Sequence, residues 1–120
     1  MAKTITEETW AKFQPSTRED TFPKELKRNY YKWGDKQTAY RYKDYGYWRE
    51  LTWKDFYERT KWLAGGLASF GFKPGDKIAI CGENAPEWFW GQIAAQCLGG
   101  ASVGLYTDSI PSELQYVIDH

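Results

Sequence analysis

Histidine is almost missing from this chain: there is one, His120, at the last position. A Ser-His or Cys-His pair needs its base held beside the nucleophile, so that chemistry has no well-placed base here. No pair of His, Cys or carboxylate residues has metal-ligand spacing. No G-x-G-x-x-G follows a strand and no G-x-x-x-x-G-K-[ST] occurs, which leaves dinucleotide and P-loop phosphate binding without a signal. The residues therefore offer no catalytic, cofactor-binding or metal-binding site.

An excess of charge of one sign is also missing. The 16 basic and 16 acidic side chains cancel, so no global field draws a polyanion or an anionic membrane, and nucleic acid is not expected as a partner. Only two cysteines occur. Cys81 and Cys97 lack the close spacing of a metal knuckle or redox pair and sit in apolar surroundings, so they read as buried thiols. The start, MAKTITEETW, holds acidic residues and no apolar signal-peptide core, which predicts a cytosolic, reduced protein. Residues 88–107 carry no charge, yet they include Gln92, Gln96, Ser102 and four glycines and lack basic flanks. That pattern predicts a buried helix running into a buried strand and no transmembrane segment.

What the chain has in quantity is aromatic: seven Trp, nine Tyr and six Phe in 120 residues. Such rings dominate cores and interfaces. A chain of this length builds one modest core, so some of this apolar surface is expected to need a partner.

The organising stretch is 75–106. Residues 77–82 form a short apolar run after the Pro74-Gly75-Asp76 turn, and 101–106 form another after Gly99-Gly100, with one helix of chain between them. This predicts two buried parallel strands joined by a crossover helix. Asn84 is the candidate cap of that helix, with Pro86 in its first turn and Glu87 reaching back to the cap amide. Asp76, Glu83 and Glu87 flank the first strand, and Glu83 lies near its C-terminal end, where open α/β sheets gather ligands. As a base Glu83 is the functional candidate; turn, loop and helix-start carboxylates are the plainer reading of the three.

Upstream, residues 1–20 show no sustained period and read as an N-terminal arm carrying Trp10 and Phe13. A short helix starts from Asp20-Thr21-Phe22-Pro23 and runs to about Lys32, where Gly34 ends it. Residues 37–52 alternate about a Lys43-Asp44-Tyr45-Gly46 turn and predict a β-hairpin with Gly46 at positive φ. Tyr40 and Tyr42, with Trp48 as a candidate third, share one face, and Arg41, Lys43 and Arg49 interleave with them. Thr52 and Asp55 form a capping box that opens a helix to about Phe70. Gly65 and Gly66 lie inside that helix, a cost that close backbone packing is expected to offset, and Trp62 stands off its apolar stripe. After a loop at 107–113, Leu114, Val117 and Ile118 make the apolar face of a last helix. The fold class is therefore α/β: an N-terminal β-hairpin and helices followed by a βαβα unit that begins a parallel sheet.

The motifs carry a resemblance. Gly75-Asp76-Lys77-Ile78-Ala79-Ile80 followed by Asn84-Ala85-Pro86-Glu87-Trp88, in register with Leu105-Tyr106, resembles the opening of a long-chain fatty acyl-CoA ligase of the AMP-forming, adenylate-forming superfamily. Thr21-Phe22-Pro23, Gly34-Asp35, Ala39-Tyr40-Arg41, Leu51-Thr52-Trp53 and Ala64-Gly65-Gly66-Leu67 extend the likeness over nearly the whole chain from Thr21 onward. It implies an enzyme in which a fatty carboxylate attacks ATP to give an acyl-adenylate and pyrophosphate, and the coenzyme A thiol then displaces AMP, with Mg²⁺ and basic groups neutralising phosphate charge. The family's Ser/Thr/Gly-rich loop, Thr-Glu element, ribose-holding Asp and catalytic Lys have no counterpart in these 120 residues.

The resemblance thus implies residues 21–120 as the first subdomain of an acyl-CoA ligase N-terminal domain, incomplete and inactive alone, whose partners are the remainder of the parent enzyme and, in the parent, fatty acid. ATP, Mg²⁺ and coenzyme A are implied for the parent and none of them for this segment. A parent that is cytoplasmic or, alternatively, membrane-peripheral, and a homo-oligomer through the open sheet edge follow as expectations. The alternative is a small aromatic-rich binding module that stacks single-stranded RNA or docks a protein partner.

Overall fold

The computed structural model describes residues 21–120, and the arm expected at 1–20 lies outside the described residues. Helix α1 spans Phe22–Trp33. Thr21 is extended and its hydroxyl accepts the Lys24 amide at 3.4 Å, while Gly34, at φ 51°, ends the helix by donating to the Tyr30 carbonyl at 2.9 Å. A proline in the first turn costs no hydrogen bond, so the start is well specified.

Strands β1 (Thr38–Asp44) and β2 (Tyr47–Thr52) form an antiparallel hairpin. Both turn residues have positive φ, Tyr45 at 47° and Gly46 at 83°. A two-residue hairpin turn matched to strand twist demands this of both positions, and the glycine alone was expected to supply it. The register pairs Tyr40 with Leu51, Arg41 with Glu50, Tyr42 with Arg49 and Lys43 with Trp48. Residues directly opposite one another share a face, so Trp48 lies with Arg41 and Lys43 and not with Tyr40 and Tyr42. The two-residue turn sets that pairing, and the pleat then decides every side.

Helix α2, Trp53–Ser69, opens with the expected capping box: the Thr52 hydroxyl accepts the Asp55 amide at 3.2 Å and the Asp55 carboxylate accepts the Thr52 amide at 2.9 Å. Phe56 and Thr60 are its buried residues. The close packing expected at Gly65 and Gly66 is not there, because a Cβ built on either meets nothing within 4 Å. Their sector of the helix faces open space.

Strands β3 (Lys77–Cys81) and β4 (Ala101–Leu105) pair in parallel, from Lys77 opposite Ala101 to Cys81 opposite Leu105. Helix α3, Pro86–Cys97, is the crossover, and α4, Pro111–Asp119, closes the order. Ala85, extended at φ −124° and ψ 161°, is the N-cap of α3, with no side-chain cap bond, in place of the expected Asn84. Pro86 explains the shift: it bars its predecessor from helical geometry and removes one of the amides a cap would satisfy.

The core sits where α3 meets β3 and β4 on one side and α2 and α1 on the other. Gly91, Ala94 and Ala95 are buried on α3. A Cβ at Gly91 would stand 3.1 Å from Ile80 Cδ1, so the glycine is what lets the helix lie close on β3. Tyr30 stacks on Tyr57 at 4.3 Å, joining α1 to α2, and Tyr40 leans on Phe89 at 5.5 Å, joining the hairpin to α3.

Two expectations of burial fail for one reason. Strand β3 alternates exposed and half-buried residues and β4 has no buried residue; among the described residues, helices cover only one face of the pair. Cys81 falls on the uncovered face and Cys97 at the end of α3, so both are exposed free thiols. Nearby atoms still desolvate the Cys97 thiol enough to raise its pKa.

Candidate functional site

The C-terminal ends of β3 and β4 open onto a pocket of 430 Å³ lined by Gly82, Glu83, Asn84, Trp88, Phe89, Gly104, Leu105 and Tyr106. Local sequence builds it. Strand β3 ends at Cys81, three residues turn the chain, and Pro86 starts α3 so that Trp88 falls in its first turn. The indole lies over β4: a Cβ at Gly104 would meet Trp88 Cζ2 at 3.1 Å, and the glycine gives the ring its place. Phe89 meets the same indole edge-on at 6.2 Å, and Tyr106 stands 79% exposed at the rim. A smaller depression of 180 Å³, lined by Ile80, Cys81, Gly82, Glu83, Ala85, Glu87 and Trp88, adjoins it, so Glu83 borders both.

A larger cavity of 690 Å³ lies at the other end of α3, between Gln96, Cys97 and the residues from Thr21 to Glu25. Size does not make it the better site. Open parallel sheets bind ligands outside the carboxyl ends of their strands, where the 430 Å³ pocket lies and the 690 Å³ cavity does not.

The three carboxylates singled out from the sequence separate. Asp76 sits at the N-terminal end of β3, where its carboxylate accepts the Lys73 amide at 2.8 Å and its carbonyl accepts the Ala101 amide at 3.0 Å. It is a turn residue, as the plainer reading had it. Glu83 and Glu87 both lie at the C-terminal end, Glu87 in the first turn of α3, where a helix favours negative charge. His120 stacks on Tyr116 at 4.2 Å with Nδ1 2.8 Å from the Tyr116 carbonyl, and it does not line the pocket. Trp88 and Gly104 were not singled out as a contacting pair in the sequence, and their spacing along the chain held no sign of it.

The lining does not fit a nucleotide triphosphate. It offers one carboxylate, Glu83, and no Lys or Arg to meet phosphate charge. Among the described residues no three of His, Cys, Asp and Glu are grouped to hold a metal ion, and no helix is long and apolar enough to cross a membrane. On the hairpin, Arg41 pairs with Glu50 at 2.6 Å, Arg49 with Asp44 at 3.5 Å, and the Tyr40 ring is turned to Phe89, while the Lys43 ammonium lies 5.5 Å from the Trp48 ring.

A family model described as AMP-binding enzyme matches residues 26–120. The long-chain-fatty-acid–CoA ligase ACSBG1 of Bos taurus is 33% identical over 86 residues, covering 72% of this chain and 12% of that protein. The Homo sapiens ACSBG1 is 33% identical over 70 residues, covering 58% and 10%. The chain thus spans about a tenth of the length of these relatives. Among solved structures, the N-terminal subdomain of Klebsiella oxytoca NpsA superimposes with a TM-score of 0.72 at 21% identity, covering 82% of this chain and 24% of that one. The same subdomain in complex with 3-hydroxybenzoyl-AMSN matches equally well. The hairpin, the helices and the parallel pair therefore share the fold of about a quarter of the NpsA N-terminal subdomain. With the match running over nearly all of the described residues and the fold in agreement, the chain belongs to the AMP-binding enzyme family.

Proposed function

We propose that residues 21–120 are the first subdomain of a long-chain fatty acid–CoA ligase, and that their part is architectural. In the whole enzyme a fatty carboxylate attacks ATP, pyrophosphate leaves, and the thiol of coenzyme A then displaces AMP from the acyl-adenylate. The observation that carries the reading is the half-covered β3–β4 pair, helices on one face and open edges beyond, in a chain akin to fatty-acid–CoA ligases. The pocket at the strand ends, without a cation in its lining, is a wall of the site and not its phosphate grip.

The remainder of the enzyme is the partner that covers the open strand face and the apolar residues Val117 and Ile118 of α4, which are 42% and 60% exposed. In its absence a second copy does so, and the protein self-associates. The two free thiols suit a reducing, cytosolic setting.

Fatty-acid-dependent exchange of pyrophosphate into ATP tests this. The 120-residue protein should show none, while a longer chain that also carries the Ser/Thr/Gly-rich loop, the Thr-Glu element, the ribose-holding Asp and the catalytic Lys should show it. Exchange by the 120-residue protein alone would overturn the architectural role. A monodisperse monomer at high concentration would overturn the self-association.

A further inference from the structure

The 690 Å³ cavity beside Gln96 and Cys97 takes no part in the site at the strand ends, and neither the hairpin nor the β3–β4 pair contributes to its lining. A second hollow of 170 Å³ adjoins it between α1 and α2, with Pro23 and Cys97 in the walls of both. Each hollow is bordered by a residue whose polar atom is shut off from water without a hydrogen-bond partner among the described residues. In the larger it is Gln96 Oε1, and in the smaller the hydroxyl of Thr60, a residue only 2% exposed. Such atoms are costly to leave unpaired. An acceptor and a hydroxyl together call for an occupant that brings both a donor and an acceptor, and a peptide carries both at each residue.

We infer that the occupant is the chain's own N-terminal arm, residues 1–20, folded back from Thr21 so that Trp10 and Phe13 enter the larger cavity. Thr21 is itself part of the lining, so the arm departs from the cavity wall. Phe13 stands eight residues and Trp10 eleven before Thr21. At about 3.3–3.6 Å per residue the chain is long enough to bring either ring onto the cavity with slack to spare. At the rim Phe22 is 64% exposed and offers an apolar face for such a ring.

The tether favours this segment over a separate molecule. A short flexible connection gives an attached group an effective concentration on the order of millimolar, which a second copy reaches only in concentrated solution. The cavity lies in the helical layer, between the start of α1 and the end of α3, and not on the strand face left for the rest of the enzyme. The inference therefore stands apart from the proposed function.

Alkylation of the two thiols of the 120-residue protein by iodoacetamide, read by peptide mass spectrometry, tests it. Cys97 lines both hollows and reports on their cover, while Cys81, on the strand face, is the internal reference. Replacing both anchors, Trp10→Ser with Phe13→Ser, should speed alkylation of Cys97 roughly tenfold or more and leave Cys81 and the far-UV spectrum unchanged at the same protein concentration. Each single variant should fall between the two, and these carry the test if the double variant loses its far-UV signal. Equal Cys97 rates in wild type and variants overturn the inference. So does a Cys97 protection that grows with protein concentration, which would assign the cavity to a second copy. Self-association through the strand face slows Cys81 instead as concentration rises, so this inference and the proposed function can fail separately.

Discussion

The two ends of the β3–β4 pair are built on opposite principles. At the N-terminal end nothing is spare: a Cβ on Gly100 would fall 2.5 Å from the Phe72 ring and 2.6 Å from the Asp76 carbonyl oxygen, and one on Gly99, at φ 76°, 3.1 Å from Pro74 Cβ. The Gly75 amide donates to the Gly99 carbonyl at 2.9 Å and the Ala101 amide to the Asp76 carbonyl at 3.0 Å, so two loops are tied together there. At the C-terminal end the strands run out into a 430 Å³ pocket whose floor is one indole over one glycine. One end is closed by backbone; the other is bounded by side chains that can move.

Replacing the glycines near the two ends of β4, Gly100 just before it and Gly104 within it, breaks or sharpens that contrast. Gly100→Ala should cost the most, roughly 1–3 kcal/mol of stability by denaturant titration, because a carbonyl oxygen cannot step aside. Adding Phe72→Ala should recover only part of it. A loss of a few tenths would mean that the closed end yields as easily as the open one.

Gly66→Ala serves as the unpacked control. With nothing within 4 Å of the new methyl group, the substitution in a helix interior should raise stability by roughly 0.5–1 kcal/mol. A decrease in the unfolding midpoint would reveal a packing partner at that face. Gly104→Ala should be smaller still, below about 1 kcal/mol, since the atom it meets is the edge of Trp88 at the pocket. A shift in tryptophan emission with little change in midpoint is the expected signature.

The gentlest probe is pH. The amide hydrogen bond from Thr52 holds the Asp55 carboxyl below its ordinary value of 3.8. A lowered folded pKa means that the unfolded chain binds the proton first on acidification. The contribution is therefore complete above about pH 3.8 and lost as pH falls through the lower folded value. Asp55→Asn should flatten the acid limb of a stability profile; an unchanged limb would place the box outside the acid transition.

Much of this layout was readable along the chain. The order of elements, the Thr52–Asp55 box, the Gly34 stop and the parallel pairing of the two apolar runs all depend on neighbours a few residues apart or on one crossover, which are local or topological constraints. Trp48 was harder to place, since its side follows from a register that a two-residue turn sets. Asn84 gave way to Ala85 because the proline constraint on the preceding residue outweighed a capping preference.

The residues alone determined where helices and strands begin, because caps, prolines, glycines and hydrophobic period act within a turn or two of chain. Only the tertiary structure decided which surfaces are covered. The exposure of Cys81, the fit of Trp88 on Gly104 and the empty space beside Gly65 and Gly66 depend on which elements arrive from elsewhere, and a strand carries no record of whether its second face will meet a helix or be left open.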